Sequence, residues 1–139
     1  MPDWNDRCRP PRFLNDSELD SIAQAWIDAQ EASDNSEKRK SNRWAIDQVI
    51  DWALDGQSDL LWRFILKVYT RNLPQKTISV LAAGPLEDLI AKFGAQYIDQ
   101  IEDLARKDPQ FNDLLGGVWQ NEATEEVWNR IEKARLKVW

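Results

Sequence analysis

Ser58-Asp59-Leu60-Leu61-Trp62-Arg63-Phe64-Ile65-Leu66-Lys67-Val68-Tyr69-Thr70-Arg71 is the stretch on which the fold turns. Wound as a helix at about 100° per residue, it leaves only Arg63, Lys67, Thr70 and Arg71 as a polar strip. Leu61, Trp62, Ile65, Leu66, Val68 and Tyr69 cover most of the remaining circumference. A helix that is apolar nearly all round belongs inside a layer of other helices, so this one is expected at the centre, with Trp62 among the most buried residues. Ser58 or Asp59 supplies its cap.

Further helices can be followed in both directions. Upstream, three prolines in residues 1–14 make an irregular N-terminal arm. Asn15, Asp16 and Ser17 suit the start of a first helix, about 17–31, with Leu19, Ile22, Ala23, Trp26 and Ala29 on one face. Beyond a polar turn at Ser33 to Ser36, a second helix, about 37–54, carries Ile46, Val49, Ile50 and Ala53 as its stripe and ends at Gly56. Downstream of the central helix, Pro74 opens a fourth that Gly84 closes. Pro85 starts a fifth that Gly94 stops. Tyr97, Ile101, Leu104 and Ala105 form the core face of a sixth. Asp108-Pro109 begins a short seventh ending at Gly116-Gly117. The last begins near Thr124, with Ala123, Val127, Ile131, Ala134 and Val138 in line. No two-residue alternation competes with this reading. The expected fold is all-α, a compact antiparallel array of seven to eight short helices, with residues 15–139 forming one helical domain. Leu81, Leu86, Leu89, Phe93, Ile101, Leu104, Phe111, Leu115 and Trp119 are expected to meet in one cluster.

A chain of 139 residues can bury such a core without disulfides or a structural metal. One cysteine, Cys8, and no histidine exclude an intramolecular disulfide and a thiolate or imidazole metal cluster. Cys8 lies between Arg7 and Arg9 with no base in sight, and is read as a bystander. The opening residues lack the apolar core of a secretory signal. The longest nearly apolar run, Ile78 to Leu86, is too short to span a bilayer and contains Gly-Pro. These features suit a soluble protein of the reducing cytoplasm, with no membrane partner and no cofactor.

The net charge of −6 disfavours direct contact with nucleic acid, whose phosphates need a basic surface. The charge is unevenly spread. Phe13 to Asp34 holds six acids and no base, Lys38, Arg39, Lys40 and Arg43 form a short basic run, and Gly84 to Glu126 sets ten acids against Lys92, Arg106 and Lys107. Such a surface suits a protein partner with a basic face, although acids also simply keep a small protein soluble.

Catalytic candidates are few. Without histidine, the usual base for a Ser or Cys nucleophile is missing. Glu87 and Asp88 are adjacent and point about 100° apart on a helix, too divergent to clamp one ion. Asp99, Glu102 and Asp103 share a face at i, i+3 and i+4. They could hold a divalent cation, or form a solvated acidic face relieved by Arg106. Gly116-Gly117 reads as a helix end and not as a phosphate loop.

Eight tryptophans in a chain of this length are the most informative feature. Trp26 and Trp62 fall on core stripes. Trp44 and Trp52 fall well off the stripe of the second helix. Trp128 and Trp139 align with one another on the last helix, away from its stripe and next to Arg135. Large aromatics facing solvent mark binding hot spots, unless a second layer of helices covers them. The candidate partner-binding residues are therefore Trp44, Trp52, Asp99, Glu102, Asp103, Trp128 and Trp139.

Two segments, Leu81-Ala-Ala-Gly-Pro-Leu-Glu-Asp-Leu-Ile90 and Phe111-Asn-Asp-Leu-Leu-Gly-Gly-Val-Trp119, resemble a family of small bacterial proteins known as a domain of unknown function. The resemblance runs from the Leu60-Leu61-Trp62 helix onward, and the basic run upstream is less like the family. It implies a helical fold and a bacterial or phage origin, and it brings no activity with it. The resulting expectation is a non-enzymatic binding protein, such as an immunity protein that neutralises a bacterial toxin. The alternatives are a phage-encoded inhibitor of a host defence nuclease that imitates nucleic acid with its acids, a metal-dependent enzyme built on Asp99, Glu102 and Asp103, and a homodimeric scaffold.

Overall fold

A computed structural model of the protein describes residues 14–139. The arm expected over residues 1–14, with Cys8, lies outside the described residues apart from Leu14. Seven α-helices follow: α1 (Asp16–Glu31), α2 (Glu37–Leu54), α3 (Ser58–Tyr69), α4 (Gln75–Leu81), α5 (Glu87–Lys107), α6 (Pro109–Leu115) and α7 (Glu125–Ala134). A π-helical segment, Ala82–Leu86, joins α4 to α5 without a break, so the described residues form six continuous helical runs and contain no strand.

Local chemistry sets most of the ends. Asn15 and Glu18 exchange side-chain and backbone bonds in a capping box that opens α1. Ser36, Asp108 and Thr124 cap α2, α6 and α7 through their side-chain oxygens. Gly56, at φ +77, closes α2, and Gln57 N–H then donates back to the Trp52 carbonyl at 2.8 Å. Part of the basic run is structural: Arg39 donates to the Ala29 carbonyl at 2.9 Å, near the negative end of the α1 dipole.

The central position of α3 is as its pattern requires. Leu60, Leu61, Trp62, Phe64, Ile65, Val68 and Tyr69 are buried, and α3 packs against α1, α2, α4, the π segment, α5 and α6. Its polar strip turns to α1, where Lys67 reaches Asp20 at 3.2 Å and Arg71 reaches it at 3.4 Å. Trp62 is buried, though Trp26 and Trp52 are more deeply so.

Several expectations are corrected. The buried face of α2 is Ala45, Val49, Trp52 and Ala53, with Ile50 exposed, so Trp52 is core and not surface. Trp52 meets Phe64 edge-on at 6.0 Å, and burying an indole outweighs burying an isoleucine side chain. Gly84 and Pro85 do not separate two helices. The wide π turn, with Glu87 N–H donating to the Ala82 carbonyl, leaves room for a proline ring that would crowd an α-helical turn. The break expected at Gly94 is a kink: the backbone at Phe93 (φ −129, ψ 20) is non-helical, and two helical stretches join across it in the run that ends at Lys107. Gly94 is needed for contact, since a Cβ there would stand 2.7 Å from Val127 Cγ1 on α7.

Leu81, Leu86, Leu89, Ile101, Phe111 and Leu115 do meet in one buried cluster, with Phe93 and Leu104 packed partly buried against it. Trp119 does not join them, because Val118 takes the inward place and Trp119 turns out. The last helix stops at Ala134, four residues before Val138, which is exposed. Among the described residues, no helix is long and apolar enough to cross a membrane.

Candidate functional site

The site is built where the two quoted segments meet. Leaving α6, the chain turns through Gly116 and Gly117 and presents Trp119 to solvent with 76% of its surface exposed. The backbone beneath it is nonetheless held. Glu87, at the start of α5, accepts from Trp119 N–H at 3.0 Å and from the Asn121 side chain at 3.2 Å. Asn121 itself sits at φ +50, a turn conformation that asparagine tolerates. The π segment leads directly into Glu87, so the irregularity in one segment positions the loop of the other.

Residues 135–139, beyond the end of α7, come alongside. Asn112, a buried polar residue of α6, redirects them: its amide donates to the Ala105 and Ala134 carbonyls, and its oxygen accepts from Leu136 N–H at 2.9 Å. The last helical carbonyl of α7 is thereby satisfied by a side chain, and the helix need not continue. Lys137 pairs with Asp113 at 3.0 Å, and Trp139 N–H donates to the Gly116 carbonyl at 3.0 Å. The Trp139 indole then lies on the paired glycines. A Cβ on Gly117 would stand 2.4 Å from the ring and one on Gly116 2.8 Å, so this seat requires glycine at both positions.

Trp128 lines the inner wall and is buried, which corrects the expectation that it faces solvent. The Arg135 guanidinium lies 4.9 Å from its ring centroid and donates to the Val118 carbonyl at 2.9 Å and the Leu115 carbonyl at 3.3 Å. Between these walls is an open cleft of about 410 Å³, lined chiefly by Gly117, Trp119, Trp128, Arg135 and Trp139. Trp139 remains 43% exposed, and Leu136 and Val138 extend the apolar surface beside it.

The other expected residues lie elsewhere. Trp44 is 50% exposed on the outer face of α2, where Ile50 and Leu54 are also exposed. Trp52 is 1% exposed, and its Nε1–H has no hydrogen-bond partner among the described residues. Asp99, Glu102 and Asp103 do share a helix face, but they are not a free cluster. Arg130 of α7 binds Asp99 at 2.6 Å and Glu102 at 2.5 Å, and Asp103 turns to Lys107 at 2.8 Å and Arg106 at 3.3 Å. The Arg130 hydrogen bond holds the Glu102 carboxyl below its ordinary range, and the Lys107 hydrogen bond does the same for Asp103. Among the described residues, no group of three or more Asp, Glu, Cys or His side chains is placed to hold a metal ion. A second hollow, about 440 Å³ between α1 and α3, is walled by Arg63, Lys67 and Arg71 against Asp16 and Asp20, with its charges paired internally.

Sequence reasoning missed Trp119, Leu136 and Val138 as surface and Arg135 as part of the wall. The available signal is the Gly-Gly pair, which can seat a ring as well as end a helix.

The chain belongs to DUF6869, a family of unknown function, whose family model matches residues 31–138. The match begins well before Leu60 and includes the basic run at Lys38 to Arg43, which corrects the expectation that this run stands apart from the family. No curated protein and no solved structure matches the chain.

Proposed function

We propose that this chain is a non-enzymatic protein-binding module that neutralises its partner, in the manner of an immunity protein directed against a bacterial toxin. The observation that carries this reading is Trp119: a large aromatic, three-quarters exposed, on backbone that Glu87 holds in place. An exposed indole on a held backbone, in one cleft with Trp139, has the makings of a hot spot, since the loop that presents it needs little ordering on binding. The net charge of −6 favours a basic partner. An inhibitor of a host defence nuclease would use the same physics with a different partner. Asp99, Glu102 and Asp103 would not serve it as free acids, because they are engaged by Arg130, Arg106 and Lys107.

The test is capture from a lysate of the native host by the tagged full chain, with the bound proteins identified by mass spectrometry. A basic protein should be retained by the wild type and by Trp44→Ala, and lost with Trp119→Ala. Retention by Trp119→Ala at wild-type level would overturn the reading. A second reading, a homodimer, is favoured by the exposed Trp44, Ile50 and Leu54 on α2. Light scattering at rising concentration would then give twice the chain mass for the wild type and the single-chain mass for Trp44→Ser.

A further inference from the structure

Two arginines near the end of α7 use their guanidinium groups differently. Arg130 grips Glu102 side-on: Nε donates to one carboxylate oxygen at 3.0 Å and Nη2 donates to the other. A forked pair of this kind adds direction as well as strength. Arg135, just past the helix, uses only Nη1, which donates to the Val118 carbonyl at 2.9 Å and the Leu115 carbonyl at 3.3 Å. Its Nε and Nη2 make no hydrogen bond among the described residues, nor does any acid among them pair with it. The edge that Arg130 gives to a carboxylate is therefore left over on Arg135.

That guanidinium lines the aromatic cleft together with Trp119, Trp128 and Trp139. Two carbonyls and the Trp128 ring, 4.9 Å away, fix its position but offer only partial charges against its full one. No carboxylate and no second cation lines the cleft. Gln120, the other polar side chain of the lining, is turned to the Ala123 carbonyl and to Glu125. In a chain of net charge −6, the cleft thus carries a local charge of the opposite sign.

Resting on the reading of this cleft as the contact site, we infer that it takes up an acidic side chain, glutamate or aspartate, from an apolar stretch of the protein partner. The carboxylate forks onto Nε and Nη2 of Arg135, and its apolar neighbours cover Trp119 and Trp139. A cation would meet Arg135 with no acid to offset it. A purely apolar plug would take the guanidinium out of water and leave it unpaired. Charge then acts at two ranges. The field of the whole chain draws in a basic face, and the cleft accepts the register that sets an acid of that face on Arg135.

The test uses the full chain and three end-blocked pentapeptides of the order glycine, leucine, X, leucine, glycine, with X glutamate, glutamine or lysine. The readout is a nuclear magnetic resonance titration followed at the Arg135 Nε–H signal and at the indole N–H signals of Trp119 and Trp139. The glutamate peptide should move all three and bind at least about fivefold more tightly than its glutamine twin. The lysine peptide should bind most weakly. Arg135→Gln should erase the preference for glutamate, and Trp119→Ala should weaken the glutamate and glutamine peptides alike. Because Arg135 also braces Trp128, the three peptides on the wild-type chain decide the matter without any variant. Equal binding of glutamate and glutamine, tighter binding of lysine, movement confined to Trp44, or no movement at all would overturn the inference. Lysate capture lost with Trp119→Ala, beside equal binding of the peptides, keeps the contact site and rejects the acidic anchor. The opposite pair of results rejects the partner reading and keeps the preference of the cleft for a carboxylate.

Discussion

Asn112 joins α5, α7 and residues 135–139 through one amide, and no residue within reach along the sequence could reveal it. Its partners Ala134 and Leu136 lie 22 and 24 positions away. Asn112→Leu, similar in size, should leave two carbonyls and one N–H without partners and cost about 2 kcal/mol or more in denaturant unfolding. An unchanged midpoint would show that water replaces the amide. The tryptophans divide in a way that composition alone could not disclose. Trp52→Ala should cost roughly 3–5 kcal/mol, as for a deeply buried aromatic. Trp119→Ala should leave stability within about 0.5 kcal/mol, as for a surface position. Periodicity does not place Trp52 because the two possible stripes of α2 share Val49 and Ala53. What separates them is Phe64, on a different helix.

At the scale of elements, helix existence was legible and helix ends were legible only where a side chain caps them. Asn15, Ser36, Asp108 and Thr124 fall where the pattern put them. Gly84 and Pro85 read as a break because the sequence cannot show that a π turn accommodates the proline, whereas the break read at Gly94 corresponds to the kink at Phe93, and only the pressure of α7 on that glycine is hidden. Gly94→Ala puts a methyl 2.7 Å from Val127 and should destabilise by about 1–3 kcal/mol, with Val127→Ala restoring part of the loss. Two carboxyls of α5 respond to pH in opposite directions. Glu102, lowered first by the Arg130 hydrogen bond, contributes stability above the ordinary carboxylate range and loses it as pH falls through its lowered value. Asp88, raised first by burial, favours its protonated form. Its contribution is complete below the ordinary range and is lost as pH rises through the raised value. Asp88→Asn should therefore raise the melting temperature at neutral pH and change it less in mild acid. Glu102→Gln should lower it at neutral pH, the deficit closing only in strong acid. Parallel melting curves for wild type and variants across that range would contradict both assignments.

At the scale of the whole molecule, charge and aromatic surface act on different stages of one encounter. A net charge of −6 reaches beyond contact distance, but only over about 8 Å at physiological ionic strength. Raising salt should therefore slow association with a basic partner while changing dissociation little. Glu122 and Glu125 are the residues to neutralise in a test of that effect. Both are exposed and neither forms an ion pair among the described residues, whereas altering Asp99 or Glu102 would also release Arg130 and disturb the packing of α5 on α7. Glu122→Gln with Glu125→Gln should lower the on-rate and flatten its dependence on salt. Trp119 acts after contact. Its backbone is already held by Glu87, so the loop needs little ordering and the side chain alone loses freedom as the indole is buried. Trp119→Ala should leave the on-rate near wild type and raise the off-rate by about thirtyfold, equivalent to about 2 kcal/mol. Surface plasmon resonance at several salt concentrations would measure both arms with the captured partner. An off-rate indifferent to Trp119, with an on-rate indifferent to salt, would remove this face from the contact and leave the exposed side of α2, with Trp44, Ile50 and Leu54, to carry it.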